Sequence, residues 1–158
     1  MIDHTRMDAA SVDTLASEEG RPLRLQAAWL EAVVQELPVG VIVAEAPSGR
    51  LLFSNQQVER IWRHPFLAAG RVAAYSSYQG FHADGRPYRP DEWPLARSIT
   101  TGEVVTAEKI TFLRGDGTRG TMQVSSAPVR DAQDRIIAGI VVFDDITEQE
   151  LAEQALPS

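Results

Sequence analysis

Residues 103–145 read "EVVTAEKITFLRGDGTRGTMQVSSAPVRDAQDRIIAGIVVFDD". Three long runs rich in β-branched and apolar residues are separated by "GDG" and by "DAQD", and both interruptions are turn chemistry. Tight connections make consecutive strands antiparallel neighbours, so this stretch commits the chain to an antiparallel sheet. A sheet of this kind buries at least one face, and the rest of the chain has to supply the cover.

The cover lies upstream. After Pro38, "GVIVAEA" begins a strand, "PSG" turns it into "RLLFSN", and Gly49 takes the turn position that needs a positive φ. Asn55 is then placed to cap a short helix, "QQVERIWR", with Val58, Ile61 and Trp62 on one side. Residues 64–90 are irregular and rich in Gly, Pro and Tyr, with "DGRP" as a turn. "DEWPLARSITTGE" gives another short helix, with Asp91 near its start and Gly102 past its end. Two strands, short helices and three strands make an α+β domain whose helices gather on one side of an antiparallel sheet.

Residues 1–21 lack periodicity, carry few large apolar groups and are expected to be a disordered tail. Residues 22–37 form an amphipathic helix: Leu23, Ala27, Leu30, Val34 and Leu37 recur at helical steps, and Pro22 suits the first turn. Leu25, Trp29, Ala32 and Val33 make a second apolar stripe. A helix apolar over most of its circumference buries against two surfaces or sits in a single well-covered core. The two-surface reading puts one stripe on the domain and assigns Leu23, Ala27, Leu30 and Val34 to a homodimer interface.

The totals exclude several functions. A formal net charge of −7 opposes a nucleic-acid surface, which needs clustered Lys and Arg. No cysteine is present, which removes disulfides, thiolate metal ligands and cysteinyl adducts together. No apolar run approaches the roughly 20 residues of a membrane span. The opening residues are polar and mildly acidic, unlike a secretory leader, so a cytoplasmic location is expected. Asp144 and Asp145 are adjacent on a strand and point to opposite faces, so they cannot form an acid–base couple. Neither a nucleophile–histidine pair nor a phosphate-cradling glycine loop occurs, and the chain is not expected to be an enzyme.

With "GVIVAEAPSGRLLFSN", "PLARSITTGE", "DGTR", "APVRD" and "DIT" in this order, the chain resembles the PAS domain family, as found in bacterial sensor histidine kinases. The resemblance spans residues 38–147 and implies a five-stranded antiparallel sheet cupped around a small pocket. Aligned to the family, the pocket-facing residues are Ile42, Ala44, Ile110, Phe112, Met122, Val124, Ser126, Val141 and Phe143. Strand alternation agrees, since these residues share one face of their strands. On the opposite face Thr111, Gln123 and Ser125 mix with apolar Val41, Val43, Ile140 and Val142. That face is expected to be half covered, with the N-terminal helix as its cover.

The lining has Ser126 as its lone hydroxyl. Flavin-binding LOV relatives use a reactive cysteine and strand amides, whereas the equivalent strand positions here hold Phe112, Met122 and Phe143. An unpaired flavin edge costs a few kcal/mol, so a LOV photosensor is not expected. Haem would need an axial histidine, for which only His64 and His82 offer themselves, both in loop-like sequence. No prosthetic group is expected, with haem or a flavin bound in a non-LOV manner as the alternatives. A small apolar ligand and a core filled by its own Phe and Met side chains both fit the lining. Trp62 and Trp93 fit either a ligand clamp or core packing.

"TEQE" reads as a capping box in which Thr147 accepts from the Glu150 backbone and Glu150 reaches back. Residues 148–158 thus begin a C-terminal helical linker, and in PAS relatives a "DIT" end hands over to an effector such as a histidine kinase. Asp145 and Thr147 are the expected signal-relay residues, and Phe143, two residues ahead of Asp145, is the expected link to the pocket. The function expected is a PAS sensory module, or a ligand-free dimerisation module as the alternative.

Overall fold

The hairpin at "GDG" closes as its chemistry requires. Arg114 N donates to Thr118 O at 2.8 Å and Gly117 takes a φ of 86° in the computed structural model, which describes residues 21–155 except the side chains of residues 21–27 and 30. The tail expected for residues 1–21 lies outside the described residues apart from Arg21, which opens the first helix. In order, the elements are α1 (Arg21–Glu36), β1 (Gly40–Glu45), β2 (Leu51–Ser54), α2 (Gln57–Trp62), β3 (Gly80–Phe81), α3 (Pro94–Thr101), β4 (Val105–Leu113), β5 (Arg119–Arg130), β6 (Ile136–Asp145) and α4 (Thr147–Ala155). Short 3₁₀ turns at Val72–Ser77 and Pro90–Glu92 fill the irregular middle.

The sheet has six strands, in the order β2-β1-β6-β5-β4-β3, each antiparallel to its neighbour. The five-strand expectation is corrected by β3, whose Gly80 and Phe81 pair with Phe112 and Thr111 at the edge. Two residues cannot display an alternation, so no period announces this strand. Gly49 in the first hairpin has a φ of 83°, and Pro94 and Gly102 bracket α3 at its first position and its C-cap.

One face of the sheet is covered by α2, the 3₁₀ turns and α3, and these bury Val58, Ile61, Trp62, Tyr75, Leu95 and Ile99 against it. The other face departs from expectation. α1 does not lie across it: Ala28, Ala32 and Val33 are exposed and Trp29 is 66% exposed. The last turn of α1 is instead tied to the start of α2, through Asn55 Nδ2 donating to Val34 O at 3.0 Å and Gln56 N donating to Gln35 Oε1 at 3.2 Å. What stands against this face is α4, which leaves β6 beside β5 and places Glu150 Oε1 2.7 Å from Lys109 Nζ.

Candidate functional site

Between the sheet and its helical cover lies a cavity of about 60 Å³. The strands contribute Ile42, Leu51, Met122, Val124, Val141 and Phe143. The helical side contributes Trp62, Tyr75, Tyr78, Trp93, Pro94 and Leu95. Of the residues expected to face a pocket, Ile42, Met122, Val124, Val141 and Phe143 line this space. Ala44, Ile110, Phe112 and Ser126 are equally buried but do not line it. Their surroundings show why. Phe112 is screened by Trp62, whose ring meets it edge-on at 5.1 Å, and Ser126 Oγ lies 2.7 Å from Ser98 Oγ on α3.

The tyrosines present rings to the cavity and turn their hydroxyls to the backbone. Tyr75 Oη donates to Gly49 O at 2.6 Å, and Tyr78 Oη accepts from Leu67 N at 3.0 Å. Burial pushes both phenols up, so they stay neutral across the physiological range. The wall is therefore apolar throughout, with Trp62 packed edge-on against Tyr78 at 5.0 Å and against Trp93 at 6.3 Å. Such a space suits a compact apolar guest, because a polar group placed in it would lose its hydrogen bonds to water.

Neither prosthetic group weighed from the sequence fits. The cavity's apolar wall offers a flavin's polar edge no partner and a porphyrin iron no axial ligand. Both histidines also stand outside the lining. His64 Nδ1 lies 2.8 Å from Pro65 O. His82 stacks on Tyr88 at 3.9 Å, with Nε2 3.2 Å from Glu92 Oε1. The Glu92 carboxyl is held down to about 2 by the Arg89 backbone N–H, then by His82 and Arg86, which outweigh its partial desolvation. Among the described residues no cluster of His, Asp and Glu is arranged to hold a metal ion, and no helix is long and apolar enough to cross a membrane.

Asp145 and Thr147, the expected relay residues, meet in one cluster with Arg114. The Arg114 side chain crosses from the hairpin and is 6% exposed. Its Nη2 donates to Asp145 Oδ2 at 2.8 Å and to Thr147 Oγ1 at 2.9 Å, and its Nη1 to Thr118 Oγ1 and Arg119 O, both at 3.1 Å. A Cβ on Gly120 would overlap the Arg114 guanidinium and come within 2.6 Å of Thr147 Oγ1, so glycine is what lets the cluster close. Burial pushes the Asp145 carboxyl up. Hydrogen bonds from Thr147 and Arg114 outweigh that and hold it below the usual carboxylate range.

The capping box expected at "TEQE" is not formed. Asp145 Oδ1 accepts from Thr147 N at 3.0 Å and so caps the helix, while Thr147 Oγ1 accepts from Thr121 N at 3.0 Å. Glu150 is drawn to Lys109 instead of back to Thr147, since a charged partner outcompetes a neutral amide. Asn55, expected as a cap for α2, makes no side-chain cap there either. Of the expected dimer-face residues, the side chains of Leu23, Ala27 and Leu30 lie outside the described residues, and Val34 is half-buried. The exposed apolar residues described on and just after α1 are Ala28, Trp29, Ala32, Val33 and Leu37.

A family model described as the PAS fold matches residues 34–151. The fold is shared with the PAS domain of a protein from Colwellia psychrerythraea, at 16% identity and a TM-score of 0.54 over 77% of this chain and 97% of that one. It is shared with the PAS domain of an HTR-like protein from Haloarcula marismortui, at 13% identity and 0.56 over 81% and 98%. An RNA-binding light-oxygen-voltage receptor aligns at 24% identity and 0.61, over 80% of this chain but 35% of the receptor, so the chain spans about a third of that protein's length. No curated protein matches by sequence.

Proposed function

The chain belongs to the PAS family, and from that premise we propose that it is a sensory module whose cavity takes a compact apolar molecule and whose terminal helices pass the consequence to an effector. The observation that carries this reading is the continuous apolar wall of the cavity, built jointly by sheet and helices. At its volume a dissolved gas or very small hydrocarbon is the right size. Asp145 and Thr147 are the relay residues in this reading, because they hold the start of α4 to the sheet. The effector proposed is a sensor histidine kinase of a bacterial two-component pathway, reached in the cytoplasm. The module is regulatory, as PAS domains generally are, and neither catalysis nor nucleic-acid binding is assigned to it.

Native mass spectrometry of the protein as purified tests for a retained ligand, and thermal unfolding under xenon tests the cavity directly. Xenon at roughly ten times its Kd is expected to stabilise the fold by about 1.4 kcal/mol. At this chain length that is a Tm rise of about 5 °C. Bare protein with no response to xenon would move the cavity from ligand site to packing defect.

A second reading, a ligand-free dimerisation module, is favoured by one observation. Trp29, Val33 and Leu37 recur every four residues and are all exposed. A large aromatic on such a stripe is the usual energetic centre of an interface. Trp29→Glu is expected to weaken self-association roughly 30-fold or more in sedimentation equilibrium, with the Tm of the monomer unchanged. An unaltered association constant removes α1 from the interface.

A further inference from the structure

One route from the cavity to the start of α4 runs through one residue and one hairpin. Trp62 ends α2, and its indole lines the cavity. Its carbonyl accepts from Gly115 N in the "GDG" hairpin at 2.8 Å. Its ring also meets Phe112 edge-on at 5.1 Å, and the Phe112 face carries the Arg114 guanidinium 4.9 Å from its centroid. The next residue, Arg63, turns left-handed with a φ of 58° and sends Nη1 to Asp116 Oδ2 at 2.8 Å. The joint is tight, since a Cβ on Gly115 would overlap the Arg63 carbonyl and lie 2.7 Å from the His64 Cβ. On its far side the hairpin delivers Arg114 to Asp145 and Thr147.

The alternative path runs through the sheet, along β6 from Phe143 or across from Met122 on β5, which lines the cavity and pairs with Asp145. β6 is an interior strand, paired along its length to β5 on one side and from Ala138 to Phe143 to β1 on the other. Moving it shears two ladders. The hairpin tip is exposed from Gly115 to Arg119 and paired to no further strand, so it tilts without breaking a ladder. Of two linked elements, the one with fewer buried contacts and more exposed backbone yields first.

We infer that the residue 114–118 hairpin is the relay arm, with Trp62 reading the cavity and Arg114 setting the start of α4. This rests on the sensory reading above. A guest that displaces the Trp62 indole moves its carbonyl and the Phe112 ring together. Both shifts act on Arg114, whose fork joins the hairpin to the Asp145–Thr147 turn. α4 then changes its angle or its fraying without any change in β6.

The test is amide chemical-shift mapping of the whole chain under xenon, in the wild type and in Arg114→Lys, which keeps the charge but loses the fork. In the wild type, shifts are expected at Trp62 and Gly115 and on through Thr147 to Glu150. In Arg114→Lys the shifts around the cavity persist and those in α4 fall at least about two-fold. Should that variant not fold, Arg63→Gln severs the exposed ion pair to Asp116, leaves Arg114 untouched, and is expected to reduce the α4 response in the same direction. An undiminished α4 response in the variants assigns the relay to the sheet strands and overturns the hairpin. A silent α4 in the wild type, with the cavity residues shifting, overturns any relay while the ligand site stands. Silence at the cavity itself removes the ligand site, and the relay with it.

Discussion

Asp145→Ala is expected to destabilise the domain by about 3–5 kcal/mol, the cost of leaving a buried charge without its partner. Arg114 is the charge left behind. It is 6% exposed and would keep only neutral acceptors at Thr118, Arg119 and Thr147. The same substitution deletes the oxygen that accepts from Thr147 N, and losing a helix cap adds about 1 kcal/mol. Asp145→Asn retains the shape and one acceptor, so it is expected to lose less than the alanine variant. Urea midpoints near neutral pH measure both.

The acid dependence checks the cause. The folded-state carboxyl lies below its ordinary value, so its contribution is complete above that value and is lost as pH falls through the folded one. The gap between wild type and Asp145→Ala should therefore be full near neutrality and close only as pH falls below the ordinary carboxylate range. A gap that does not narrow in acid would mean that packing rather than the ion pair carries the effect.

The long strands are legible in the sequence because each is long enough to show its alternation. β4, β5 and β6 place Ile110, Phe112, Met122, Val124, Val141 and Phe143 on one buried face, as their spacing requires. β3 is illegible for the opposite reason, two residues being too few for a period. Of the helical half of the cavity, Trp62 and Trp93 stand out in the sequence and the rest does not. Tyr75 and Tyr78 come from an irregular stretch where position is set by tertiary contacts, and Leu95, like Leu51 on β2, has no chemistry that sets it apart from other apolar residues.

The two misread caps share a lesson. Thr147 and Asn55 both stand where a cap would stand, and in both the side chain is used for a partner distant in sequence. Local spacing shows what a side chain could do for its neighbours, and a stronger tertiary partner decides otherwise. α1 adds a third case. Its apolar periodicity reads as burial, yet periodicity cannot say against which molecule, and here Trp29 and Val33 face outward.

Asn55 is the site of the second large expected effect. It is fully buried at the end of β2, and its side chain satisfies three backbone groups from three places. Oδ1 accepts from Val41 N in β1 at 3.0 Å, and Nδ2 donates to Val34 O in α1 at 3.0 Å and to Val39 O in the connection at 2.8 Å. Asn55→Asp changes almost no volume but turns both donors into an acceptor facing two carbonyls. It is expected to destabilise the domain by about 3 kcal/mol or more near neutral pH, from two unpaired carbonyls and a buried carboxylate.

The pH dependence should run opposite to that of Asp145. A buried carboxyl facing carbonyls has its folded pKa raised, so its penalty is absent below the unfolded value and grows as pH rises through it. Lowering the pH toward about 4 should therefore restore part of the Asn55→Asp stability, because the protonated acid can donate to one of the two carbonyls. Hydrogen exchange at residues 34–41 should report the loosening directly. A wild-type exchange pattern there, with stability flat in pH, would mean that Asn55 does not hold α1. If it does, this buried amide, with the exposed Gln56–Gln35 pair beside it, sets the angle at which the Trp29 stripe leaves the sheet, and any partner of that stripe is positioned by it.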